Sequence, residues 1–147
     1  MLKCEKLSIT IAGRTLVREL SLELRSGEVI CMLGPNGVGK TLALHTLAGL
    51  LTPTSGVVML DGGDVSQLGR RQIARRLGLL LQDDAGSFPT TVSDSILMGR
   101  HPYLGALASA SGADHALADQ AMTAMELDGF GPRNLATLSG AERRRVA

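Results

Sequence analysis

Residues 34–41 read Gly34-Pro35-Asn36-Gly37-Val38-Gly39-Lys40-Thr41, and no other stretch constrains the chain as strongly. They fit G-x-x-x-x-G-K-[ST] at every fixed position. Gly34, Gly37 and Gly39 clear side chains from a bend where successive backbone N–H groups must face one point. A helix opening at Gly39 would add its own unsatisfied N–H donors and the positive end of its dipole. Such a bend cradles a triphosphate. Lys40 is placed to reach the β- and γ-phosphates, and the Thr41 hydroxyl to coordinate Mg²⁺. The glycines run G-x-x-G-x-G rather than G-x-G-x-x-G, which excludes a Rossmann dinucleotide site.

The flanking sequence supplies the context that such a loop needs. Val29-Ile30-Cys31-Met32-Leu33 is apolar without alternation, as in a strand buried on both faces. After the loop, Lys40 to Ala48 carries Leu44, Leu47, Ala48 and Leu51 at helical spacing, with Gly49 and Pro53 marking the end. Nearer the start, Leu7 to Ile11 and Leu20 to Leu24 alternate with period two around the turn-like Ala12-Gly13-Arg14, which predicts an antiparallel pair. Val57 to Leu60 and Leu77 to Leu81 read as further strands, with a short basic helix over Arg70 to Arg76 between them. Thr91 and Asp94 form a possible capping box for a helix through Met98. Asp114 is expected to cap a longer helix with Leu117, Ala121, Ala124 and Met125 on one face, stopping near Gly129. Strand, loop, helix and strand in this order predict an α/β core.

Composition removes several alternatives. The 147 residues carry a net charge of +1, without the basic excess of a nucleic-acid binder. Aromatic residues make up 2%, too few for a base-stacking platform, so no nucleic-acid partner is expected. Charge is uneven: residues 77–132 set one arginine, Arg100, against seven acids, between neutral or basic flanks. Cys4 and Cys31 lie far apart without a C-x-x-C, so neither a disulfide framework nor a zinc site is encoded. The first residues lack the apolar core of a secretory signal, and no apolar run approaches the ~20 residues that span a bilayer. A chain of this kind is expected to stay in a reducing compartment and to meet a membrane only through a partner.

Leu138-Ser139-Gly140-Ala141-Glu142 is the second motif. By itself it reads as a helix start, with Ser139 capping and Glu142 closing a capping box. About a hundred residues after a phosphate loop, however, it resembles the signature of ABC transporter nucleotide-binding domains, Leu-Ser-Gly-Gly-Gln/Glu. Gln82, otherwise a polar residue at a strand end, then matches the family's Q-loop. The resemblance runs from Leu2 to Ala147. It implies a P-loop NTPase fold of ABC type: an antiparallel β subdomain over 1–27, a P-loop core over 28–82 and a helical subdomain over 83–147. Further, it implies that Gly34, Pro35, Asn36, Gly37, Val38, Gly39, Lys40 and Thr41 hold ATP and Mg²⁺. Gln82 would approach the metal and the attacking water. Ser139, Gly140 and Glu142 would act on ATP held by the other protomer of a head-to-tail homodimer. The remaining partners implied are a transmembrane permease and, indirectly, an external substrate-binding protein, with the subunit peripheral on the cytoplasmic face.

Three departures from the family pattern stand out. The family stacks adenine on an aromatic near the first hairpin, where this chain has Thr10-Ile11-Ala12-Gly13 and no aromatic before Phe88. At roughly 1–3 kcal/mol per stacked base, the loss amounts to about one to two decades of affinity, part of which Ile11 could recover. Ala141 replaces the second glycine of the signature. Last, family members continue to a second apolar strand ending in Asp (Walker B), a catalytic Glu and a switch His, none of which these residues contain. His45, His101 and His115 read as surface or packing residues. The expectation is a truncated domain that binds ATP weakly without turning it over and leaves an apolar strand edge exposed.

Gly99-Arg100-His101-Pro102-Tyr103-Leu104-Gly105, after Phe88-Pro89-Thr90-Thr91-Val92, looks like importers of iron–siderophore, haem and cobalamin type. Read locally, it is a Pro/Gly loop between two helices. Two other functions share the first two motifs: a soluble ABC protein, and a non-catalytic ATP-binding fragment.

Overall fold

The period-two apolar pattern at the chain start becomes a long hairpin. The computed structural model describes residues 1–81, 89–105 and 108–147. Strand β1 (Leu2–Ile11) pairs antiparallel with β2 (Arg14–Leu24). Ala12 (φ 48°) and Gly13 (φ 79°) make the turn, both left-handed, as a two-residue hairpin joining twisted strands requires. The other edge of β1 takes β3 (Ser55–Leu60), also antiparallel, and β4 (Gly63–Asp64) completes the order β2-β1-β3-β4. Gly56 has φ +85°, and a Cβ there would run into the Glu5 and Lys6 carbonyls, so glycine is what allows β3 to cross β1 at this point.

One face of this sheet carries the core of the first compact unit, Met1–Leu79. Cys4, Leu7, Val58 and Leu60 meet Leu47, Val65 and Ile73. Each large aliphatic side chain so buried contributes about 1.5–3 kcal/mol. Helix α1 (Lys40–Leu47) buries Ala43, Thr46 and Leu47, while Leu44 stays exposed. The Thr46 hydroxyl is satisfied by donating to the Leu42 carbonyl at 2.8 Å. Helix α2 spans Arg70–Ala74, shorter than expected, and is anchored by Ile73. Its arginines point outward.

Two expected strands are absent from the ladders. Residues 29–33 carry no strand pairing, and Val29 is 95% and Leu33 85% exposed, contrary to the doubly buried strand expected. Residues 77–81 likewise lie outside any ladder, with Leu80 exposed, though Leu77 packs on the core. A parallel strand is stable only with neighbours in the sheet and cover on both faces. Among the described residues neither run has them, so hydrophobicity alone does not make a strand of either.

The second unit is Leu80–Ala147. Thr91 caps α3 (Val92–Met98), accepting from the Asp94 N–H and donating its hydroxyl to the Asp94 carboxylate at 2.6 Å. Val92 and Ser93 donate backbone bonds to the Arg133 and Gly131 carbonyls, tying the start of α3 to the segment before α5 (Gly140–Val146). Helix α4 spans Gly112–Ala124, and its cap is Ser111, not Asp114. Asp114 instead occupies the third helical position and closes the box, accepting from the Ser111 N–H at 3.0 Å and hydroxyl at 2.6 Å. The helix also turns a different face inward than expected: Ala118 and Asp114 are buried, whereas Leu117 and Met125 are exposed. A carboxylate can lie on the inward face because Arg100 Nε donates to its other oxygen at 2.8 Å.

The Ser111 hydroxyl and the Arg100 guanidinium together draw the Asp114 carboxyl down from 3.8 to about 2. Its contribution to stability is complete above the unfolded value and disappears as pH falls from 3.8 toward 2. Acid titration of the second unit's helical circular dichroism is expected to show a loss in that window. Asp114→Asn should lower stability at neutral pH and flatten the acid limb; an unchanged limb would refute the assignment.

Candidate nucleotide-binding site

The loop and the helix it opens lie within the first unit. Lys40 and Thr41 begin α1, and the first N–H to reach back within the helix is that of Ala43, which donates to the Gly39 carbonyl at 2.9 Å. The N–H groups of Lys40, Thr41 and Leu42 therefore have no intrahelical acceptor. Gly39, at the helix cap, has φ 105° and ψ 10°. A Cβ on it would lie 3.2 Å from Leu16 Cβ and 3.2 Å from Val17 Cγ2, so the loop rests directly on β2. A left-handed residue pressed against a strand is a place for glycine on two independent counts.

Lys40 closes the bend. Its ammonium donates to the Gly34 carbonyl at 2.7 Å and to the Pro35 carbonyl at 2.8 Å. The cation is thereby brought back over the loop that precedes it, six residues up the chain, rather than extended into solvent. Gly34, Pro35, Asn36, Gly37 and Val38 are exposed, as is Thr41, and Gly39 is buried. Backbone N–H groups, one cation and one hydroxyl thus lie close together on an exposed loop at a helix start. The site fits a polyanion.

The donor set also bears on Mg²⁺. Among the described residues no group of three or more His, Cys, Asp or Glu could hold a metal. Magnesium retains water and substrate oxygens and takes few protein ligands, all of them hard oxygen. The exposed Thr41 hydroxyl is such a ligand, so the residues present fit a magnesium ion that arrives with a triphosphate.

The second motif lies in the other unit. Leu138 is buried, and Ser139 caps α5. The Ser139 N–H donates to the Glu142 carboxylate at 2.7 Å, and the Glu142 N–H to the Ser139 hydroxyl at 3.2 Å. Hydrogen bonding to the Glu142 carboxylate by the Ser139 side chain, and then by its backbone N–H, holds that carboxyl below its ordinary range. The local reading of this motif, a capping box, is thus realised in full. Gly140 has open space where a Cβ would be. Gln82 lies outside the described residues. Sequence reasoning missed the supporting contacts, Leu16 and Val17 beneath Gly39 and Arg100 on Asp114, because both depend on pairings between distant segments that no local pattern encodes.

The ABC transporter family model matches residues 17–147. The chain belongs to the ABC transporter family. Among its relatives, the hemin import ATP-binding protein of Rhizobium meliloti is 38% identical over 146 residues, covering 99% of this chain and 54% of the relative. The cobalamin import ATP-binding protein of Halobacterium salinarum is 36% identical over 140 residues, covering 95% of this chain and 35% of the relative. The chain thus spans about half the length, or less, of these curated ABC relatives. A dimeric structure of a bacterial ABC transporter cassette superposes with a TM-score of 0.80 at 23% identity, covering 99% of this chain and 66% of that one. The ABC ATPase fold of α/β type accommodates the described residues throughout, including the antiparallel sheet beside the loop.

Gly39→Ala combines a strained φ with tight contacts against β2. Strain of this kind costs about 1–3 kcal/mol, and chemical denaturation of the variant is expected to show a loss of that order. An unaltered midpoint would mean that Gly39 is not seated as described.

Proposed function

We propose that the protein is the ATP-binding subunit of an importer, using ATP binding and hydrolysis to drive uptake of an iron chelate, haem or cobalamin through a membrane permease. The observation that carries this reading is the Lys40 ammonium folded over the 34–39 backbone at the opening of α1. Phosphate oxygens would replace the Gly34 and Pro35 carbonyls as its acceptors, turning two internal bonds into stronger charge-assisted ones. The backbone N–H groups of the loop and of the first turn of α1 would hold the β- and γ-phosphates in line. Thr41 would supply a hydroxyl oxygen to Mg²⁺, whose chemistry is to neutralise charge between the β- and γ-phosphates.

The other assigned residues extend this reading. Gln82 would orient the attacking water and report the state of the site to the permease. Ser139, Gly140 and Glu142, at the dipole-positive start of α5, would face the γ-phosphate bound by a second copy in a head-to-tail homodimer. The cargo class is supported by the names of the import relatives and by the Gly99–Gly105 segment, whose Arg100 also stacks 4.2 Å from the Tyr103 ring. No helix among the described residues is long and apolar enough to cross a membrane, consistent with a peripheral subunit beside a separate permease. The external substrate-binding protein would be met only through that permease.

In the Thr10-Ile11-Ala12-Gly13 neighbourhood that matches the family's adenine-stacking position, the exposed Ile11 would offer adenine an apolar contact in place of an aromatic one.

Calorimetry with MgATP is expected to show weak, saturable binding to the 147-residue protein. Lys40→Ala should weaken it by at least tenfold, the loss of about one charge-assisted bond. Binding unaffected by Lys40→Ala would reject the site.

A further inference from the structure

The pairing of β1 with β2 is irregular at one place that bears on the loop. Ile9 pairs with Val17 and Thr10 with Thr15, so one step along β1 is matched by two along β2. Leu16 is the extra residue. It forms a β-bulge, the device by which strands bend and re-aim residues beside functional sites. The bulged residue and its neighbour are also the ones that meet the phosphate loop: Leu16 Cβ and carbonyl oxygen lie 3.2 and 3.5 Å, and Val17 Cγ2 3.2 Å, from the position of a Cβ on Gly39. All three residues belong to the Met1–Leu79 unit.

We propose that the Leu16 bulge is the seat of the phosphate loop, with Leu16 and Val17 as positioning residues that hold Gly39, and through it Lys40, in the conformation that receives a triphosphate. The proposal rests on the phosphate-site reading above and adds to it a residue-level cause. Gly39 has a wide choice of conformations in solution. Contact with a strand on one side removes those in which the loop sags, so that the N–H groups of α1's first turn and the Lys40 ammonium stay aimed at one point. Without the bulge, the pleat would turn every residue beyond it to the opposite face of the sheet. Neither side chain is assigned any contact with the nucleotide itself. Their effect should be felt equally by any ligand that uses the phosphate cradle.

That last property supplies the test. Affinity for MgATP and for magnesium tripolyphosphate, which has no base or sugar, is measured by calorimetry on the parent protein and on Val17→Ala, Val17→Leu, Val17→Ile and a Leu16 deletion. If the receptive conformation drops to about a tenth of the population, apparent affinity falls about tenfold. Val17→Ala, which frees the loop, and Val17→Leu, which moves bulk from Cβ to Cγ, should both lose about that much for both ligands. Val17→Ile, which keeps the branched Cβ, should restore parental values. Thermal unfolding in parallel identifies any variant, the deletion above all, that has lost its fold; the Val17 series then decides the matter. Weakened MgATP binding with unchanged tripolyphosphate binding would show that Val17 touches the nucleoside and overturn the proposal. Unchanged binding of both by folded variants would overturn it too. Failure of the parent protein to bind either ligand would instead remove the phosphate-site reading, and the proposal with it. A parent that binds both and loses both on Lys40→Ala keeps the reading whatever the Val17 variants do.

Discussion

Gly39 pressed against β2 is the constraint from which the rest of the site follows. At φ 105° with Leu16 and Val17 directly behind it, the residue is strained for any side chain, and a Cβ there would sit in tight contact with the strand. Everything on either side is located by that contact. Downstream, α1 must begin immediately, so its first-turn N–H groups emerge beside the loop. Upstream, the chain must bend back, and Lys40 fastens that bend through the Gly34 and Pro35 carbonyls. The short loop thus has one end against a sheet and the other tied by a cation. Preorganisation of this kind is what gives weakly polar backbone groups useful affinity for a polyanion in water.

The second unit uses charge differently. Its helices α4 and α5 begin at capping boxes built from Ser111 and Asp114 and from Ser139 and Glu142, in which each acid accepts the N–H of its cap residue. At α3 Thr91 alone caps, and Asp94 accepts from the Thr91 hydroxyl. Asp114 goes further and carries Arg100, which also lies over Tyr103, into the same cluster. The Gly99–Gly105 segment is therefore fixed to α4 by a partly buried ion pair.

Legibility followed the range of the interactions involved. The loop at 34–41, the hairpin with its Ala12-Gly13 turn, the start of α1, the Thr91 cap of α3 and the capping box at Ser139 were all visible in the sequence. Each depends on residues within a few positions of one another, whose conformational preferences act locally. The apolar run at 29–33 was misread for the opposite reason. Its hydrophobicity is real, but a strand exists only when a neighbour accepts its hydrogen bonds, and none among the described residues does. Helix α4 turned Asp114 and Ala118 inward rather than Leu117 and Met125, because the Arg100 partner fourteen residues earlier made a carboxylate acceptable on the buried face.

Alone, the sequence determined that this chain would carry a glycine-rich bend with a lysine and a threonine at a helix start, since glycine's backbone freedom and the helix's orphan donors are properties of residue type and order. Tertiary structure alone decided where that bend sits. The unmatched Leu16 of β2 and its neighbour Val17 lie beneath Gly39, and pairing register is set by the summed burial of whole strands rather than by any residue's own preference. The chemistry of the site is therefore written locally, and its placement is collective.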